Sequence, residues 1–266
     1  MTGISDAGDG LHPDPTLRFT DRVDDYERYR PGYPEAILDV LRDQIGLAPG
    51  WVVADVGSGT GLSTELFLGH GHMVYAVEPN DAMRGAAERR LDGRPGFRSV
   101  GGTAERTGLA DSSVDLVVAA QAFHWFEPAR TRAEFARVLG EPKWAALIWN
   151  SRHTESTDFL RAYESLLSKH GTNYQEVRHE WKKDGSLEQF FQAGFERAVL
   201  PNEQVLDDEG LRGRSASASY LPGPGCLEYD ALLADLRALF DAHAVDGRVR
   251  LTYDCEIFTG RLRDIA

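Results

Sequence analysis

The chain has 266 residues, enough for one full α/β domain with an insertion or for two small domains. Hydrophobic residues make up 42% of it, which is a globular composition. The formal charge of -13, with a pI near 5.1, argues against nonspecific binding to nucleic acid or to an anionic membrane, whose phosphates most of the surface would repel. Its two cysteines, Cys226 and Cys255, give neither a disulfide framework nor a zinc-ligand spacing, and fit a reducing compartment.

The opening stretch MTGISDAGDGLHPDPT is polar and rich in Gly, Asp and Pro, with no apolar h-region. It reads as a disordered tail over residues 1–20 rather than a signal peptide. In YPEAILDVLRDQIGL, beginning at Tyr33, Ile37, Leu38, Leu41 and Ile45 recur at helical spacing, and APG ends the helix. WVVADVG is a short apolar run broken by glycine, the pattern of a buried strand. The alternation then continues: helix GLSTELFLGHG, strand MVYAVEP, helix DAMRGAAERRL, strand GFRSVGG, strand SVDLVVAAQAF, helix PARTRAEFARVL and strand KWAALIWN. Strands alternating with helices through short loops demand parallel pairing and right-handed crossovers. The expected fold is therefore α/β, a doubly wound Rossmann-like sheet.

After Asn150 the rhythm changes. DFLRAYESLLSKHG is a helix, followed by a polar, aromatic-dotted segment through WKKDGSLEQFFQAGF. ERAVLPNEQVL is strand-like, EGLRGRSASASYLPGPG is a helix ending in a Pro/Gly turn, EYDALLADLRALFDAHA is amphipathic, and RVRLTYDCEIFTGRL alternates like a closing strand. The expected organisation is a core over residues 21–150, a helical insertion and substrate lid over 151–194, and completion of the core sheet over 195–266. No run reaches the apolar length of a membrane span, and the expected location is cytoplasmic, without membrane insertion.

Asp55-Val-Gly57-Ser58-Gly59-Thr-Gly61 follows a strand and opens a helix. Glycines there let a ligand approach the backbone, and the helix N-terminus offers N–H groups to an anion. Glu78, at the end of the next strand, stands where a carboxylate would hold a ribose diol. That much also suits a nicotinamide dinucleotide. Asp55 pulls away from it, because a charge at a buried strand end calls for a partner such as an ammonium.

The pattern VxDVGSGTG, then VEPN-x-x-M, then GTAE, then S-x-D-L-V-V-x-x-x-x-F-H-W resembles the class I S-adenosylmethionine-dependent methyltransferases. Within them it is similar to the small-molecule group that includes trans-aconitate and ubiquinone/menaquinone biosynthesis enzymes, with matching motifs from about Tyr26 to Asn150. The resemblance implies that Asp55, Gly57, Ser58, Gly59 and Gly61 line the methionine part of the donor and its ammonium. It places Glu78 on the ribose, Pro79 and Met83 beside the adenine, Ala104 and Glu105 at the adenine edge, and Gln121 and Ala122 at the methionine and sulfonium. In YERYRPGYP it puts Tyr26 and Arg30 over the donor's carboxylate. It also implies an antiparallel last strand, which RVRLTYDCEIFTGRL supplies.

The implied reaction is in-line methyl transfer from S-adenosylmethionine to an O, N or C nucleophile of a small-molecule acceptor, leaving S-adenosylhomocysteine. Alternatives are an NAD(P)-dependent oxidoreductase and a non-catalytic adenosyl-ligand binder on the same scaffold. His124, in AFHWFEP past the fourth strand, is the candidate base, with loop fixing as its other reading. Trp125, Trp149, Arg152 and Tyr220 are candidate acceptor contacts. Trp181, Phe190 and Phe191 are read with Tyr220 as lid or core. The eight histidines lack carboxylate or thiol partners at ligand spacing, so no metal is expected. Neither nucleic acid nor a membrane is expected as a partner, and the sequence is silent on oligomeric state.

Overall fold

The computed structural model describes residues 23–172, 174 and 185–262. Seven strands form one sheet: β1 Val52–Val56, β2 Met73–Val77, β3 Phe97–Val100, β4 Val114–Ala120, β5 Leu139–Arg152, β6 Glu196–Leu206 and β7 Val249–Arg261. Their order is β3-β2-β1-β4-β5-β7-β6. The first five pair in parallel, and β7 runs antiparallel to β5 from Trp144↔Arg261 to Arg152↔Tyr253. The sheet is therefore doubly wound, mostly parallel, with an antiparallel C-terminal strand, as expected from the sequence. The winding reverses between β1 and β4, and such folds bind ligands at the carboxyl ends of the strands beside that reversal.

The helices are α1 Val23–Tyr29, α2 Ala36–Ile45, α3 Leu62–Gly69, α4 Asp81–Arg90, α5 Pro128–Val138, α6 Asp158–His170, α7 Ser186–Phe191, α8 Asp208–Ala216 and α9 Tyr229–His243. Helices on both faces explain why the strands read as unbroken apolar runs. Val53, Leu116, Val118, Ala146 and Ile148 face one core with Ile37, Leu38 and Leu41 of α2 and Phe67 of α3. Ala54, Val117, Ala145 and Leu147 face the other, with Phe135 of α5 and Phe190 and Phe191 of α7. Burial of both faces makes alternation pointless in the central strands. The edge strand β6, in contrast, keeps a half-exposed alternation and carries Pro201 at its middle.

The chain divides into two compact units. One holds the sheet core, Pro31–Arg152, Glu180–Glu203 and Thr252–Ala266. The other takes Met1–Arg30, His153–His179 and Gln204–Leu251, and within it α6 packs on α9 and α1 on α8. There, Tyr163 of α6 meets Ser215 of α8, hydroxyl to hydroxyl, at 3.1 Å, and His170 and Lys169 of α6 both reach Asp235 of α9. The expected tail over residues 1–20 and Trp181 lie outside the described residues. No described helix is long and apolar enough to cross a membrane.

Phe190 and Phe191 are core rather than lid residues. Phe190 is fully buried and meets the rings of Phe123, Phe191 and Phe135 at centroid distances of 4.8, 5.0 and 5.9 Å. Phe190→Ala should lower the unfolding free energy by about 3–5 kcal/mol, because the aromatic cage collapses only partly into the void. Chemical denaturation followed by circular dichroism measures it; a loss under about 1 kcal/mol would show that the cage rearranges freely.

Candidate functional site

The turn after β1 is built from the backbone up. Gly57 and Ser58 donate their N–H groups to Val77 O at 2.9 and 3.2 Å, tying the turn to the end of β2. Gly57, Gly59 and Gly61 all have positive φ, at 72°, 55° and 84°. Their reasons for being glycine differ. A Cβ on Gly57 would lie 2.6 Å from Ala122 Cβ and 3.2 Å from the Phe126 ring, and one on Gly61 would lie 2.8 Å from Leu91 Cδ1. A Cβ on Gly59 would meet nothing within 4 Å. Packing therefore accounts for Gly57 and Gly61, whereas Gly59 turns an open face outward and answers to conformation alone.

Asp55, fully buried, caps the next helix from within the strand. Its Oδ2 accepts from Ser63 Oγ at 2.7 Å and Thr64 Oγ1 at 2.6 Å. Its Oδ1 has no hydrogen-bond partner, nor have the buried Ser58 Oγ and Thr60 Oγ1. Glu78 is 8% exposed, and its carboxylate is stretched between two loops. Oε2 accepts from Gly59 N and Oε1 from Asn80 N, both at 2.9 Å. Burial raises both carboxyls above their ordinary range. Hydroxyl and N–H donors oppose the rise at Asp55, the N–H groups of Asn80 and Gly59 oppose it at Glu78, and the Asp55 charge adds to it at Glu78.

Asn80 caps α4 by accepting from Ala82 N and Met83 N at 2.9 and 3.0 Å, which sets the buried Met83 just past the half-buried Pro79. Ala104 is buried in the loop after β3. Glu105 Oε1 accepts from Glu127 N at 3.0 Å, linking that loop to the start of α5. Further along the same loop, Thr107 donates through N and Oγ1 to Glu134 Oε1, and Arg137 binds Glu134, Asp111 and Leu109 O. The Arg137 guanidinium is the main reason the Glu134 carboxyl is held down to about 2. That depression contributes stability above the ordinary carboxylate range, and the contribution is lost as pH falls through about 2.

At the end of β4, Gln121 sits at φ 55°, unusual for a residue other than glycine. Its N–H donates to Ile148 O at 2.8 Å and its Nε2 to Asn150 O at 3.0 Å. Ala122 is buried, and Phe123–Trp125 form a single 3-10 turn in which the His124 and Trp125 rings lie 4.6 Å apart. Trp149, expected near the acceptor, is 2% exposed in the core and meets Phe258 and Phe123 edge-on at 5.7 and 6.1 Å. Arg152 ends β5 opposite Tyr253.

Tyr26, Arg30 and Tyr220 belong to the other compact unit. There the Arg30 guanidinium stacks 4.7 Å from the Tyr26 ring centre and donates from Nη2 to Ser217 O at 2.9 Å. Tyr220 lies against Tyr174 with ring centroids 4.9 Å apart.

Asp55, the glycine turn, Glu78, Gln121, Ala122 and His124 thus all stand at or just past the carboxyl ends of β1, β2 and β4, at the reversal of the sheet. Three buried acceptor or hydroxyl atoms without a hydrogen-bond partner, Asp55 Oδ1, Ser58 Oγ and Thr60 Oγ1, gather at the end of β1 and its turn, and the Glu78 carboxylate keeps lone pairs to spare. No group of three described His, Cys, Asp or Glu residues is arranged to hold a metal. Sequence reading missed Ser63 and Thr64 as partners of Asp55, and Asn150. It quoted Asn80 without its capping role, although Asn three residues before a buried Met is a cap signal.

Residues 54–143, which span this turn and both loops, match the model of a methyltransferase domain family. That segment is thus similar to a methyltransferase domain. The chain is 37% identical over 158 residues to an uncharacterized methyltransferase of Mycobacterium tuberculosis, covering 59% of this chain and 62% of that one. It is 33% identical over 153 residues to an uncharacterized methyltransferase-like protein of Schizosaccharomyces pombe, covering 57% and 58%. The chain thus spans about three fifths of the length of the curated relatives it matches. Its fold is shared with a putative type II methyltransferase from Anaeromyxobacter dehalogenans, at a TM-score of 0.63 and 23% identity over 88% of this chain and 98% of that one. It is shared also with Haemonchus contortus phosphoethanolamine N-methyltransferase 2 in complex with S-adenosyl-L-methionine, at 0.51 and 16% over 92% and 58%.

The two buried carboxyls of this site, both raised by burial, would make binding of a ligand there pH-dependent. A raised carboxyl disfavours the ligand-free fold as pH rises through its folded value, and donors from a ligand relieve this only when the carboxylate is ionised. S-adenosylhomocysteine should therefore raise the thermal midpoint more near pH 8 than near pH 5, in differential scanning fluorimetry. An increment that does not change with pH would show that neither carboxylate faces the ligand.

Proposed function

We propose that this protein transfers a methyl group from S-adenosylmethionine to an oxygen, nitrogen or carbon nucleophile of a small metabolite. The observation that carries the reading is Glu78, clamped between the Gly59 and Asn80 N–H groups beside the partnerless Asp55 Oδ1. S-adenosylmethionine, when bound, supplies a methyl already activated on a positively charged sulfur, so alignment and exclusion of water remain the main tasks of the chain.

The Glu78 oxygens have one N–H each and keep lone pairs for two ribose hydroxyls. Asp55 Oδ1 accepts from the ammonium, and Ser58 and the open Gly59 line the amino-acid part. Pro79, Met83 and Ala104 wall the adenine, and Gln121 and Ala122 border the reacting end. Tyr26 and Arg30 serve the donor's carboxylate, for which a guanidinium offers a two-pronged match. His124 takes the acceptor's proton where the acceptor is an alcohol or a protonated amine, and Trp125 shields it from water. The strongly negative chain favours a small metabolite over a nucleic acid as acceptor.

Calorimetric titration with S-adenosylhomocysteine, with NAD and NADP run alongside, tests the reading. Binding of the adenosyl thioether alone is expected; binding of a nicotinamide cofactor instead would overturn it. Glu78→Ala should weaken S-adenosylhomocysteine by about 10- to 150-fold, the worth of a charged hydrogen-bonding group. Unchanged affinity would mean the ribose lies elsewhere. Once an acceptor is found, His124→Ala should reduce kcat by about 100-fold or more while leaving donor affinity near wild type. An unimpaired rate would remove His124 as the base.

A further inference from the structure

Two side-chain amides meet on one backbone carbonyl near the carboxyl end of β5. Asn150 Nδ2 donates to Gly32 O at 3.1 Å, and Asn202 Nδ2 donates to the same oxygen at 2.9 Å and to Asn150 Oδ1 at 3.0 Å. Each amide is locked in orientation. Asn202 Oδ1 is taken by Glu203 N at 2.9 Å, which leaves only its N–H groups to face Gly32 and Asn150. Asn150 accepts from Asn202, so its own N–H points to Gly32. The backbone of Asn150 is held in turn by Gln121, whose strained φ and side-chain bond to Asn150 O couple it to the end of β4. Asn150 is 9% exposed, and a polar amide at that depth is costly unless its hydrogen bonds are made.

We infer that Asn150 and Asn202 are positioning residues. They pin the Pro31–Pro34 turn to the strand ends that border the donor's methionine, so that the turn itself flanks the donor's amino-acid end. Neither residue touches the donor; both act through Gly32. The inference rests on the reading of the site as an S-adenosylmethionine site.

Two readouts separate the two. In ligand-free protein, hydrogen exchange at Ile37 and Leu38 reports the pinning, since these amides bond Pro34 O and Glu35 O at 3.1 and 3.0 Å just beyond the turn. Asn202→Ala and Asn150→Ala should speed their exchange about tenfold, with β4 amides unchanged. Unchanged exchange at Ile37 and Leu38 overturns the pinning. Titration then compares S-adenosylhomocysteine with 5′-methylthioadenosine, which lacks the amino-acid group. Asn202→Ala should weaken the first about tenfold and the second by less than about twofold. Equal losses, or none, overturn the positioning role. Asn202 is only half-buried, so its variant stands in where Asn150→Ala fails to fold. Wild-type protein that binds neither ligand, with exchange still responding in the variants, would retain the pinning and discard the adenosyl reading.

Discussion

The carboxylate of Glu78 accepts one N–H from Gly59, nineteen residues upstream, and one from Asn80, two residues downstream. Through those two bonds the turn after β1 and the entry to α4 become one rigid surface. Gly57 then brings in the third strand, because its missing Cβ is what lets Ala122 and Phe126 close on the turn. The loops after β1, β2 and β4 are thereby fixed to one another before any ligand arrives. Preorganisation of this kind reduces the ordering cost of binding.

The loop after β3 joins the same assembly by polar means. Glu105 takes the Glu127 N–H, and Glu134 holds Thr107 while Arg137 holds Glu134 and the carbonyl of Leu109. Glu105 is thus one hydrogen bond away from the helix that follows the His124 turn. Asp55 shows the complementary economy. One oxygen holds the Ser63 and Thr64 hydroxyls at the start of α3, and the other has no hydrogen-bond partner. Removing its carboxylate would therefore leave two buried hydroxyls at the start of α3 without their acceptor.

Much of this was legible in the sequence, for local reasons. Unbroken apolar runs such as VVADV and AALIW announce strands covered on both faces, and helical spacing in Ile37, Leu38, Leu41 and Ile45 predicts α2 within a few residues. The glycines and Glu78 were legible because a strand–turn–helix with an acid on the next strand is a local pattern. What escaped was nonlocal. Nothing near Asn150 in the sequence points to Gly32 or Asn202, which are 118 and 52 residues away. Trp149 reads equally well as pocket or core, and only the packing of Phe123 and Phe258 around it decides. The phenylalanines of α7 were ambiguous for the same reason. A one-dimensional reading assigns Gly57 to the ligand, whereas the packing of Ala122 and Phe126 already requires it.

Pro201 has a consequence beyond the fold. An edge strand of eleven residues is a template on which a second copy could continue the ladder, and β6 exposes Val199 and Val205 along it. A proline at its centre removes one donor from the row and leaves no uninterrupted register for a docking strand. Together with a net charge of -13, which makes close approach of two copies repulsive, this guards the sheet against runaway self-association.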